Sequence, residues 1–153
     1  MFFTSARVAD SQGFSPGAAK PAAVPESRRS LGIALSVIEP SPVSRDQIAR
    51  AHDPSHVDGI LCGRIRNGFG GTSTAVAASL PFTSGAMLAA AREVPCNGAV
   101  AVAPCSGFPH AGHDDAFGYC TFNGLMVNAL ALHAARHIGE PIAWNLASGY
   151  QRP

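Results

Sequence analysis

The chain has 153 residues, of which 46% are apolar and 14% charged, enough for one ordinary domain and too few for two. Eleven basic residues against ten acidic leave a formal charge of +1, with the arginines dispersed rather than striped, so charge gives no case for nucleic acid or an anionic membrane surface. No apolar stretch is read as approaching the ~20 residues of a membrane span, the N-terminus lacks the pattern of a secretory signal, and a cytoplasmic location is the default expectation.

Residues 1–20 mix Ser, Gly, Pro and Ala without a sustained period and read as a poorly ordered lead-in to a domain over 21–153. Pro21 to Leu31 predicts a helix with Pro25 near its first turn, stopped by Gly32. Ile33 to Ile38 is a short apolar run suited to a buried strand and ended by Pro40 and Pro42. Ser44 and Gln47 then make a capping box, opening a helix that breaks near His52-Asp53-Pro54. A further helix runs from Ser55 to about Ile65, with Val57, Ile60, Leu61 and Ile65 on one side.

Asn67 to Thr72 is glycine-rich and reads as a flexible loop, and Pro81 starts the next helix, which runs to about Val94. Pro95 to Asn97 predict a turn, and Gly98 to Ala103 a second buried strand. A polar, glycine-rich loop over Ser106–Gly124 follows. Beyond it, Gly124–His137 predicts a helix carrying Leu125, Met126, Ala129, Leu130 and Leu132 at helical spacing, with Gly139 as its C′ residue. Ile142 to Leu146 reads as a third strand, followed by Ser148, Gly149 and Tyr150. Strands alternating with helices predict a layered α/β domain with a short parallel sheet.

The loop between the second strand and the last helix concentrates the chemistry, as loops at the carboxyl edge of a parallel sheet do. His110, His113, Asp114 and Asp115 offer ligand types suited to zinc or another transition metal, and a histidine beside a carboxylate also suits a general base. The same residues equally make a polar loop held by Asx turns. His52/His56 and His133/His137 are spaced i, i+4, but Pro54 interrupts the first pair and no carboxylate or thiol accompanies the second, so both read as solvated faces. Cys62, Cys96, Cys105 and Cys120 contain no Cys-x-x-Cys pair and read as buried free thiols. Tyr150, after a small-residue turn at a strand end, can donate a hydrogen bond to a developing oxyanion, and equally can be a C-terminal ring packed on the domain edge.

Four segments carry a family resemblance: Ala51–Gly59, Ser79–Leu88, Ser106–Gly124 and Pro141–Tyr150, of which Ser106–Gly124 is the specific one. In them the chain resembles the histone deacetylase-like amidohydrolases, zinc-dependent enzymes that remove acyl groups from lysine or amine substrates. The resemblance implies a three-layer α/β/α arginase/deacetylase-like fold, whose eight-stranded parallel sheet has the order 2-1-3-8-7-4-5-6, present here in incomplete form as a partial deacetylase domain. By the same resemblance His110 would be the general base and Tyr150 the tyrosine that hydrogen-bonds the substrate carbonyl. Phe108, Gly118 and Tyr119 would line the acyl-lysine channel.

Departures from the family pattern are as informative. Pro109 stands where the family has the first of two consecutive histidines, Tyr119 where it has Phe, and Ser148 where it usually has Gly. The segment with the family's Asp-x-His pair and later Asp, the three zinc ligands, has no counterpart between the helix ending near His137 and Pro141. The resemblance therefore implies zinc in the family and no metal ligand in this chain, and a shortened, catalytically impaired deacetylase. The alternative is a non-catalytic module that binds an acylated amine, or a partner or second copy at an exposed sheet edge.

Overall fold

A computed structural model describes residues 1–4, 20–98, 100–105 and 108–135. Along them run β1 (Phe2–Phe3), α1 (Lys20–Ser30), β2 (Val37–Ile38), α2 (Arg45–Ile48), α3 (Pro54–Leu61), α4 (Thr74–Asn97) and α5 (Gly124–Ala134). The third predicted strand, with Ser148 and Tyr150, lies outside the described residues.

The start of the chain, grouped with the lead-in on sequence, is the middle of the sheet. On one side of β1, Phe2 N–H donates to Ser36 O (2.7 Å) and Thr4 N–H to Ile38 O (3.1 Å), pairing β1 with β2 in parallel. On the other side, Phe3 N–H donates to Val102 O (2.8 Å) and Val102 N–H to Met1 O (2.9 Å), a parallel bridge. The order is β2–β1–Val102. Both predicted strands shrink: the first to the exposed pair Val37–Ile38, the second to the single bridge at Val102 with Val100 73% exposed. The described sheet is thus short and parallel, as expected, but smaller than the resemblance implies.

Helix α4 organises the packing. It begins at Thr74, capped by the Ser73 side chain, and runs through both Pro81 and Pro95 to a left-handed Gly98. Pro81 is therefore interior rather than initial, and Pro95 to Asn97 continue the helix instead of turning. A proline inside a helix normally disrupts the hydrogen-bond ladder around it. Here the Pro81 carbonyl accepts from Val43 N–H at 3.1 Å, so the loop before α2 makes a bond to the helix at that point. That loop comes close: a Cβ added to Gly85 would overlap the Ser41 carbonyl oxygen and lie 3.1 Å from Pro42 Cα. The stretch Thr74–Cys96 is long and apolar enough, by length and composition, to cross a membrane, which breaking the run at Pro81 conceals; half of its most apolar window is buried inside the protein.

Two apolar clusters meet α4. One joins Val43, Ile48, Val57 and Ile60 from α2, α3 and the loop before them to Leu80 and Leu88 of α4, and to Phe122, Val127 and Ala131. The other sets Phe3 of β1 against Ala86 and Ala90. The buried stripe of α5 is Gly124, Val127, Asn128 and Ala131. Its spacing is helical, but its members differ from the predicted set, of which Met126 is exposed, because α5 is apolar nearly all round and its neighbours choose the face.

Prolines in α1 show the same dependence on tertiary partners. Pro25 sits inside the helix rather than in its first turn. It cannot donate to the Pro21 carbonyl one turn back, and that oxygen instead accepts from the Thr4 hydroxyl at 3.2 Å.

The capping box at α2 forms as read: Gln47 N–H donates to Ser44 Oγ (3.1 Å) and Ser44 N–H to Gln47 Oε1 (2.8 Å). Ser44→Ala is expected to cost about 1 kcal/mol in urea unfolding, the usual value of an N-cap hydroxyl. Helix α3 starts at Pro54 under Asp53, whose carboxylate accepts from the backbone of Ser55 and His56 (both 2.9 Å) and from the Ser55 hydroxyl. These bonds hold the Asp53 carboxyl below its ordinary pKa, the Ser55 hydroxyl contributing most. Arg45 grips Asp58 with two nitrogens, Nε to Oδ1 at 2.8 Å and Nη2 to Oδ2 at 2.7 Å, tying α2 to α3 and lowering the Asp58 pKa.

The cysteines depart from expectation. Only Cys120 is buried; Cys62 and Cys96 are exposed and Cys105 is intermediate. Burial pushes the Cys105 thiol up to about 12, which keeps it protonated and unreactive at neutral pH.

Candidate functional site

The chemistry-rich loop folds as a tight hairpin and a strapped turn. Phe117 and Cys120 exchange two backbone hydrogen bonds (3.0 and 2.9 Å), leaving Gly118 and Tyr119 as the two central residues. Their φ angles are 57° and 63°, both positive, as the tightest hairpin turns require. Glycine adopts this freely, but for tyrosine the left-handed region costs about 1–2 kcal/mol. Tyr119→Gly is therefore expected to raise stability in urea unfolding by up to about 1 kcal/mol, the relief exceeding the extra chain entropy of glycine. A fall in stability would mean that contacts of the Tyr119 ring outweigh the strain.

The strained backbone presents the Tyr119 ring outward, 57% exposed, with its centroid 6.2 Å from that of Phe69. The sequence reading missed Phe69. Its segment is not a free loop: Asn67 Oδ1 accepts from Phe69 N–H (3.0 Å) and Gly71 N–H (3.3 Å), and Asn67 N–H donates to Gly71 O (2.8 Å). The turn docks on the hairpin, with Gly68 N–H donating to the buried Thr121 hydroxyl at 3.0 Å.

His110 lies against the hairpin turn at Gly118. The Cβ that Gly118 lacks would stand 3.5 Å from His110 Cβ and Cδ2, so the imidazole packs directly over the glycine. Phe108, two residues earlier, is itself left-handed at φ 54°. Of the predicted site residues, the structure gathers His110, Gly118 and Tyr119 in one place and puts Phe108 in the same loop. Tyr150 falls outside the described residues.

His113, Asp114 and Asp115 are exposed, which fits the polar-turn reading of the loop. Gly112 N–H donates to both the Oδ1 (2.9 Å) and the backbone O (3.1 Å) of Asp115, which closes the turn. Among the described residues no three His, Cys, Asp or Glu side chains gather to hold a metal ion.

His52 and His56 are buried, against the solvated reading, because Pro54 opens α3 and places His52 before the helix and His56 within it. Their rings cluster with Phe122, at 5.4 Å from His52 and 6.4 Å from His56. Burial lowers the pKa of both; for His56 the facing carboxylates of Asp114, Asp115 and Asp53 oppose it. Among the described residues His56 Nε2 finds no hydrogen-bond partner. His133, at the last turn of α5, is exposed as expected, and His137 lies outside the described residues.

The sequence matches no protein-family model and no curated protein. Solved structures do match, among them the crystal structure of the HDA15 HD domain, with a TM-score of 0.72 at 18% identity over 88% of this chain. The fold is histone deacetylase-like. The chain spans 42% of the length of that domain. Identity this low carries fold and nothing finer.

Proposed function

We propose that the chain is a zinc-dependent deacetylase by descent, an amidohydrolase for acyl-lysine or acylated amines, in a shortened form without the zinc ligands and impaired in catalysis. One observation carries this reading: within a histone deacetylase-like fold, an exposed aromatic at a Gly-aromatic hairpin turn stands beside a second aromatic, and a histidine packs over the glycine. The sheet order β2–β1–Val102 supports it, being the 2-1-3 start of the family order.

In this reading Gly118, Tyr119 and Phe108 form one wall of an acyl channel, His110 is the inherited general base, and Tyr150 the inherited carbonyl-binding hydroxyl. Without three protein ligands a catalytic zinc does not persist, and His110 has no activated water to serve. Metal analysis of the purified chain is expected to find substoichiometric zinc, and an acetyl-lysine peptide to survive incubation with it. Stoichiometric zinc together with deacetylation would overturn the impaired form.

The alternative, a non-catalytic acyl-binding module, draws on the exposed Tyr119 ring and the half-buried Phe69 ring tilted beside it, an apolar pair that an acyl-amide could contact. Calorimetry with acetyl-lysine peptides separates the two: heat that disappears in Tyr119→Ala supports a binding module. No heat at millimolar peptide removes it.

A further inference from the structure

His52 is 1% exposed beneath the candidate loop, and both of its ring nitrogens meet backbone groups. Nε2 lies 2.9 Å from the Asn123 backbone nitrogen, which can only donate. Nδ1 lies 3.3 Å from the His113 carbonyl oxygen, which can only accept. One protonation state satisfies both: the neutral imidazole with its proton on Nδ1. The other neutral tautomer sets N–H against N–H at Asn123 and a lone pair against the carbonyl at His113, and the imidazolium repeats the first clash.

The two partners hold the loop that carries His110. Asn123 uses every polar group it has. Its N–H goes to His52, its Oδ1 caps α5 through Met126 N–H at 3.1 Å, and its Nδ2 reaches both the Pro109 and the Ala111 carbonyls at 3.4 Å. Those two carbonyls flank His110. At the other end of the imidazole, the His113 carbonyl also accepts from Asp53 N–H at 2.9 Å, and His113 Nδ1 approaches the Ala51 carbonyl at 3.3 Å. The loop is thus pinned on both sides of His110, and one imidazole joins the two pins.

We infer that His52, as its Nδ1–H tautomer, is the positioning residue of the candidate site: it fixes Asn123 and the His113 carbonyl, and through them the place of His110. The inference rests on the reading above only in taking His110 as part of the site. The groups that face His52 are His56 of α3, His113 and the Gly112 backbone of the loop, and the Phe122 ring; the carboxylates of Asp53, Asp114 and Asp115 face His56.

The test uses the full chain, labelled with ¹⁵N. In the unmodified protein at pH 7.5, His52 is expected to show a protonated, pyrrole-like Nδ1 and an unprotonated, pyridine-like Nε2; the reverse assignment would overturn the inference. His52→Leu keeps the bulk and removes both bonds, and is expected to raise Asn123 amide exchange roughly fivefold, the loss of about one hydrogen bond, and to shift the His110 ring resonances. His52→Gln returns an acceptor to the Nε2 end and is expected to restore both toward the unmodified values. Unchanged exchange and His110 shifts in a folded His52→Leu would sink the idea. Should His52→Leu not fold, the tautomer and the Gln variant decide. None of these readouts needs an acyl ligand, so failure of the unmodified protein to bind acetyl-lysine peptide would count against the proposed function and leave this result standing.

Discussion

Gly68→Ala is expected to destabilise the protein by about 3 kcal/mol and to detach Phe69 from Tyr119. The new methyl would stand 2.5 Å from the Cys120 carbonyl carbon and 2.7 Å from its amide nitrogen. Both belong to the backbone of the hairpin, which two hydrogen bonds between Phe117 and Cys120 hold in place, so neither can yield cheaply. The turn over Asn67–Gly71 has to lift instead. Overpacking of this kind costs about 1–3 kcal/mol. Lifting also breaks the bond from Gly68 N–H to Thr121 Oγ1, leaving a buried hydroxyl short of a partner at a further cost of about 1–3 kcal/mol. The melting temperature should fall by roughly 10 °C. Gly70→Ala, in the same turn with nothing within 4 Å of the added methyl, isolates the effect of left-handed backbone (φ 82°) from that of close approach. Equal losses in the two variants would refute the docking argument. If the wall of the site needs Phe69, acetyl-lysine peptide binding falls in Gly68→Ala and survives in Gly70→Ala.

The features legible in the sequence are those whose causes are local. The capping box needs only Ser44 and Gln47, three residues apart, and it formed where it was read. Gly118 and Tyr119 stand out only through the family resemblance; residue types alone mark the run around them as a polar, glycine-rich loop, and the structure makes the pair a hairpin turn beside His110. What was misread depends on partners far along the chain. Phe2-Phe3 is too short for any period and becomes a strand because Ser36, Ile38 and Val102 supply its hydrogen bonds. Pro81 looks like a helix start, but α4 already begins at Thr74, and the loop that bonds to Pro81 through Val43 comes from another part of the chain. His52 and His56 look like a broken helical pair because their spacing hides that Asp53 caps and Pro54 opens the helix between them. Phe69 had one local signal, the glycines around it. Gly68 is glycine because backbone passes where its side chain would be, and that closeness carries Phe69 to the site.

Acid is expected to unfold the chain in two stages, the first of them at His52. Burial holds the His52 pKa below the ordinary 6.5, so the unfolded chain binds a proton in a pH range where the folded one does not. Stability then rises with pH across that range. The contribution is complete above pH 6.5 and is lost as pH falls below it toward the depressed folded value. His56, also held down by burial, acts in the same direction, with Asp114, Asp115 and Asp53 reducing its share. Once protonated, His52 directs an N–H at the Asn123 N–H, and a buried donor without an acceptor costs about 1–3 kcal/mol. The melting temperature at pH 5 should therefore lie about 5 °C below that at pH 7.5. The second stage belongs to Asp53 and Asp58. Hydrogen bonds from Ser55 and from Arg45 keep their folded pKa values below the ordinary 3.8, so their contribution is intact above that pH and disappears as pH falls below it. Urea midpoints measured from pH 8 to pH 3 resolve the stages. Between pH 6.5 and 5, the slope should shrink in His52→Gln, which has no proton to gain, and remain in Asp58→Asn, which should flatten only the lower stage. A midpoint that stays level from pH 8 to pH 4.5 would mean that neither histidine is held neutral by the fold, and the hydrogen bond from Asn123 to His52 would have to be abandoned with it.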